Sequence, residues 1–139
     1  MGYDLVAYVD VDHEQLAGMS EEAIKASITQ KYPGDLGISY IYNEQCGMHE
    51  IYMYYGGTNF IRDDERFDNR RYQKMMETKV GQAFPPCLSY INDYVRTRED
   101  AIDVAAGLEL FFKDDVSLMW FAEWLRKTAK FCSTYELSS

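Results

Sequence analysis

Residues 38–55 read ISYIYNEQCGMHEIYMYY. Two alternating runs, ISYIYN at 38–43 and HEIYMYY at 49–55, flank the five residues EQCGM, one of them a glycine. Period-two alternation marks a half-buried strand, and two such runs around a short glycine-bearing link predict an antiparallel hairpin. Gly56-Gly57 ends the second run. The hairpin commits the chain to a sheet, and the flanking sequence is read by how it extends or covers that sheet.

Upstream, YDLVAYVDV at 3–11 alternates as well. Tyr3, Leu5, Ala7, Val9 and Val11 fall on a uniformly apolar face, which predicts a strand with that face on the core. Asp4, Val6, Tyr8 and Asp10 fall on the other. Between this strand and the hairpin, Ser20 is a predicted N-cap, with Glu21 and Glu22 in the first turn, where the helix dipole favours acids. Met19 is placed to staple onto Ile24, and Ile28 continues the stripe until Lys31 and Pro33-Gly34 stop it. Asp12 and Gln15 can cap a short extra turn that Gly18 breaks.

Downstream the pattern turns helical. A stripe of Tyr72, Met75, Met76, Val80 and Phe84 runs up to Pro85-Pro86. Leu88, Ile91 and Val95 suggest a further helix. Thr97 and Asp100 form a capping-box pair for another, with Ala101, Ile102 and Ala105 inside it. LELFF at 108–112 fits either a continuation of that helix or a last strand. Asp114 or Asp115 then caps a final helix expected to run to about Phe131. The predicted class is α+β in one domain over 1–139. Its small antiparallel or mixed sheet has strands near 3–11, 38–43 and 49–55, with 108–112 as a candidate fourth. With that fourth strand the order approaches a ferredoxin-like split βαβ.

The final helix, VSLMWFAEWLRKTAKFC at 116–132, is apolar over most of its girth. Val116, Met119, Trp120, Trp124 and Thr128 mark one face, and Leu118, Phe121, Ala122, Leu125 and Ala129 another. Such an arc is wider than a one-sided surface helix needs. It suits a central core helix, or one that lends a face near Trp120 and Trp124 to a second copy. Trp120 and Trp124 are not expected both to be exposed.

Charge narrows the partners. The net charge is −9. Residues 1–65 hold twelve acids against Lys25, Lys31 and Arg62, a net of −9, while residues 66–139 hold eleven acids and eleven bases, a net of zero. An acidic half repels nucleic acid and anionic membranes and attracts basic partners. The 47% hydrophobic content supports a core. No apolar run approaches a membrane span, and MGYDLVAYVDVD lacks the basic start of a secretory signal. Cys46, Cys87 and Cys132, odd in number and irregularly spaced, form no disulfide framework, so a cytoplasmic setting is expected.

Three constellations compete as the working part. Cys46 and His49 in CGMH are spaced like half a zinc site, but Cys87, Cys132 and His13 are isolated and supply no second pair, so no metal is expected there. Asp10 and Asp12 at a strand end resemble Mg²⁺ ligands, without the phosphate loop or lysine that such enzymes add. RDDERFDNRR at 62–71 interleaves four arginines and four acids, the pattern of a solvated, self-neutralising face. The tyrosines carry more. Tyr40 and Tyr42 share one face of their strand and Tyr52 and Tyr54 one of theirs. Paired, the four are expected to form a single aromatic sheet face, a common basis for interface hot spots. The sequence therefore predicts a non-enzymatic, inhibitor-type binding module without a cofactor. It would engage a basic protein through Tyr40, Tyr42, Tyr52, Tyr54, Asp35, Glu44 and Glu50. The alternative is a small Mg²⁺-dependent phosphohydrolase or nuclease using Asp10 and Asp12.

Overall fold

The computed structural model describes residues 4–32, 34–55, 77 and 95–138. Its elements in chain order are β1 (Asp4–Val9), α1 (His13–Ala17), α2 (Glu21–Lys31), a 3-10 turn (Gly34–Leu36), β2 (Ile38–Asn43), β3 (Met48–Tyr55), α3 (Arg98–Phe111), α4 (Val116–Thr128) and β4 (Cys132–Ser138). The predicted helical stripe of Tyr72, Met75, Met76, Val80 and Phe84, the run at Leu88 and Ile91, Cys87 and the charged stretch 62–71 lie outside the described residues. Val95 is buried and itself lies outside any helix, shortly before α3.

Local signals place the helices. Asp12 accepts from the backbone N–H groups of Glu14 and Gln15 at the start of α1, and Ser20 accepts from Ala23 N at the start of α2. Thr97 and Asp100 form a reciprocal capping box on α3, and Asp115 caps α4 through Leu118 N. Each cap satisfies N–H groups that the helix itself cannot. Residues 108–111 continue α3 and Phe112 caps it, rather than forming a strand. Leu108 and Phe112 are buried while Leu110 is 54% exposed, a spacing only a helix produces here, because a strand would turn all three to one side.

All four strands pair antiparallel in the order β2-β3-β1-β4. Helices α1 and α2 lie in the β1–β2 connection and α3 and α4 in the β3–β4 connection, and each such pair of strands is separated by one strand inserted between them. This is the split βαβ arrangement, reached with a fourth strand other than 108–112. That strand is CSTYELS, and α4 accordingly ends at Thr128 rather than near Phe131. Its alternation is broken by a bulge: Val9 pairs with Cys132 but Tyr8 with Thr134, which leaves Ser133 without a partner on β1. β1 also ends at Val9, short of the predicted Val11.

The helices cover one face of the sheet. Leu5, Ala7, Val9, Ile51, Met53, Cys132 and Tyr135 of the strands join Ile24 and Ile28 of α2, Val104 and Leu108 of α3, and Leu118, Phe121 and Leu125 of α4 in one buried cluster. The buried hydroxyls of Thr128 and Tyr135 partner each other across elements, Oγ1 and Oη lying 2.8 Å apart and tying α4 to β4, while the buried Trp124 Nε1 has no hydrogen-bond partner among the described residues. Of the two tryptophans of α4, Trp124 is buried at 6% exposure and Trp120 stands out at 63%, as does Val116 at 61%. The wide apolar arc thus splits into a core side and an exposed edge. Among the described residues, no helix is long and apolar enough to cross a membrane.

Candidate binding face

The hairpin register decides which tyrosines belong together. Tyr40 pairs with Ile51 and Tyr42 with His49, while Tyr52 pairs with Ser39 and Glu50 with Ile41. Directly paired residues point to the same side of a sheet. The four tyrosines therefore do not share a face, contrary to the sequence expectation. The link between the strands is four residues, Glu44–Gly47, with Gly47 at φ +68°, rather than five. That one-residue difference in turn length shifts the register and reverses the pairing of the tyrosines.

Tyr40 and Tyr42 lie on the helix side, toward the tip of the hairpin. The Tyr40 hydroxyl is 2.8 Å from His49 Nδ1, and the rings of both tyrosines lie against the imidazole, with centroids 6.0 and 4.9 Å away. Partial burial and the Glu21 carboxylate at the start of α2 raise the Tyr40 pKa. His49 is thus part of an aromatic stack. Cys46 sits exposed in the turn, and among the described residues no three His, Cys, Asp or Glu side chains are grouped to hold a metal.

Tyr52 and Tyr54 lie on the opposite, open face, where β1 and β4 add to them. Tyr8 pairs with Tyr52, Val6 with Tyr54, Val6 with Glu136 and Tyr8 with Thr134. The Tyr8 and Tyr52 rings are tilted at 54° with centroids 6.4 Å apart. Tyr8 donates its hydroxyl to Glu136 Oε2 at 3.2 Å. Burial pushes the Tyr8 hydroxyl above its usual pKa, and the fields of Glu136 and Glu50 add to that push. These side chains, with Val6 and Ile41, line a groove of about 310 Å³ that Leu137 also borders. Tyr54 is 48% exposed beside it.

The other predicted residues disperse. Glu50 is on the open face. Glu44 stands in the hairpin turn, and Asp35 belongs to the 3-10 turn before β2. Asp10 is engaged on both carboxylate oxygens: Arg98 Nη2 donates to one at 2.8 Å and Ser133 Oγ to the other. Asp12 is occupied with the α1 cap. Asp10 thus joins β1, α3 and β4 at the bulge.

Tyr8 and Glu136 are the members of the face missing from the sequence prediction. The alternation of β1 does put Tyr8 opposite the core, a signal legible in the sequence. Glu136 has no such signal, because the bulge hides its strand. Comparison with protein-family models, with curated proteins and with solved structures returns no match.

Proposed function

We propose that the chain is a non-enzymatic, inhibitor-type binding module whose open sheet face docks on a basic protein surface. One observation carries this reading: Tyr8, Tyr52, Tyr54, Glu50 and Glu136 stand together on the face opposite the helix-packed core. Tyrosines supply contact area at low entropic cost, and carboxylates steer a basic partner. The net charge of −9 acts in the same direction. The free thiols of Cys46 and Cys132 suit a reducing, cytoplasmic compartment.

The test is capture from the native host at low salt, followed by association and dissociation kinetics of each captured protein. Glu50→Lys should slow association and flatten its salt dependence, whereas Tyr52→Ala and Tyr54→Ala should mainly speed dissociation. Captured proteins that bind all three variants like the parent would sink the reading.

A second copy of the chain is a further partner, favoured by the exposed Trp120 and Val116 on α4. Sedimentation of the parent and of Trp120→Ser across a concentration series tests it. An unchanged monomer in both discards it.

A further inference from the structure

We propose that the groove bounded by Tyr8, Tyr52, Glu50 and Glu136 receives an arginine side chain of the partner, its guanidinium lying on the tyrosine rings and its N–H groups donating to the two carboxylates. This rests on the reading of the open face as the docking surface and names the chemistry it selects.

The groove has the volume for a long side chain, about 310 Å³, and its walls are of two kinds. Val6, Ile41 and the faces of Tyr8 and Tyr52 suit an aliphatic stem and a flat cation. Glu50 and Glu136 supply negative charge. Both carboxylates border the same groove as Tyr8, and the fields of both reach its hydroxyl. Elsewhere on the molecule, carboxylates beside a cation are paired with it: Glu21 with Lys25, Glu109 with Arg126, Glu123 with Lys127 and Asp10 with Arg98. Glu50 and Glu136 form no ion pair with a described residue. Their charge is left for a cation that comes from outside.

Guanidinium meets these walls better than ammonium does. It is planar, so it can stack on a ring. It is weakly hydrated, so it leaves water more readily. Its five N–H groups fork, so it can reach two carboxylates at once. The Tyr8–Glu136 hydrogen bond holds one ring and one carboxylate in fixed relation, which lowers the ordering cost of binding.

The experiment is an amide NMR titration of the whole chain with the blocked pentapeptide Gly-Ser-Arg-Ser-Gly, and with the same peptide carrying lysine or the neutral isostere citrulline at its centre. The arginine peptide should shift Val6, Tyr8, Glu50, Tyr52 and Glu136, citrulline should leave them in place, and lysine should bind about three- to ten-fold more weakly. Tyr8→Phe keeps the ring and should keep most of the binding. Tyr8→Leu, and Glu50→Gln with Glu136→Gln, should each weaken it about three-fold or more, with melting curves recorded to verify folding. Equal shifts from arginine and citrulline overturn the proposal, as does lysine binding as tightly as arginine, or shifts confined to acids elsewhere. A captured partner that depends on Tyr54 and Glu50, beside an arginine peptide without effect, overturns the arginine assignment alone. Failure of both experiments removes the docking face as well.

Discussion

Along β1 the side chains alternate between two environments, and the two faces of the sheet can be compared residue by residue. Leu5 and Ala7 are fully buried against the helices, while Tyr8, next in line, is only half-buried and hydrogen-bonded to a carboxylate. On β3, Ile51 and Met53 are buried, whereas Tyr54 between Met53 and Tyr55 is 48% exposed. One backbone ladder thus presents a face packed under the helices, where position is enforced by packing, and an aromatic face on which Tyr8 and Tyr54 keep partial exposure around the buried Val6. Stability should reside on the first face and recognition on the second.

The largest effect that can break this comparison comes from the helix side. Phe121 is fully buried and stacks with Trp124 at a centroid distance of 6.5 Å. Phe121→Ala should cost about 3–5 kcal/mol of unfolding free energy, because the cavity cannot fully collapse. Trp124→Ala should fall in the same range, and Trp120→Ala, at 63% exposure, within about 0.5 kcal/mol. Urea titrations of the three variants decide it. Equal losses at Trp120 and Trp124 would mean that the two sides of α4 do not differ in burial.

This asymmetry was only partly legible in the sequence. Uninterrupted alternation revealed β1, β2 and β3, and short-range capping chemistry revealed the starts of α1, α2, α3 and α4. Two things were hidden, for separate reasons. β4 carries an extra residue, Ser133, so the inward Cys132 and Tyr135 are three apart and the period of two survives only over the four residues Thr134, Tyr135, Glu136 and Leu137. The hairpin register depends on whether Met48 belongs to the turn or to the strand, a difference too small for residue preferences to resolve. It separates Tyr40 and Tyr42 from Tyr52 and Tyr54. Of the residues that share the open face, Tyr52, Tyr54 and Glu50 could be singled out in the sequence, while Tyr8 and Glu136 required the sheet order to bring them together.

A second, intermediate effect compares the cysteines. Cys132 faces the core, and burial, helped by Asp10, pushes its thiol from the ordinary 9.0 up to about 12. Cys46 is exposed in the turn. At neutral pH a thiol-reactive reagent should label Cys46 quickly and leave Cys132 unmodified in the folded chain. Stability follows with a definite sign. In the unfolded chain Cys132 loses its proton near 9.0, while the folded chain retains it to about 12. The contribution is therefore whole below pH 9 and is lost as pH rises from 9 toward 12. Cys132→Ala should flatten this alkaline decline in chemical denaturation curves, and a decline of the same slope in the variant would trace it to other groups, Tyr135 among them.

The smallest expected effect sharpens the comparison most, because its sign differs from that of the core variants. Glu50 stands on the open face without an ion pair to a described residue, in a chain of net charge −9, and its field adds to that of Glu136 at the Tyr8 hydroxyl. In the free protein that proximity is unfavourable: like charges repel, and no described cation offsets them. Glu50→Gln keeps the shape of the side chain and removes one charge. It should leave stability unchanged or raise it by about 0.2–0.5 kcal/mol at low salt, with the gain shrinking as salt screens the repulsion. Glu136→Gln should behave alike, since a glutamine oxygen still accepts the Tyr8 hydroxyl. Thermal melts at two salt concentrations read both. A loss of 1 kcal/mol or more, about the worth of a satisfied hydrogen bond, would mean that these carboxylates hold the fold together, and the division of labour between the two faces would not stand.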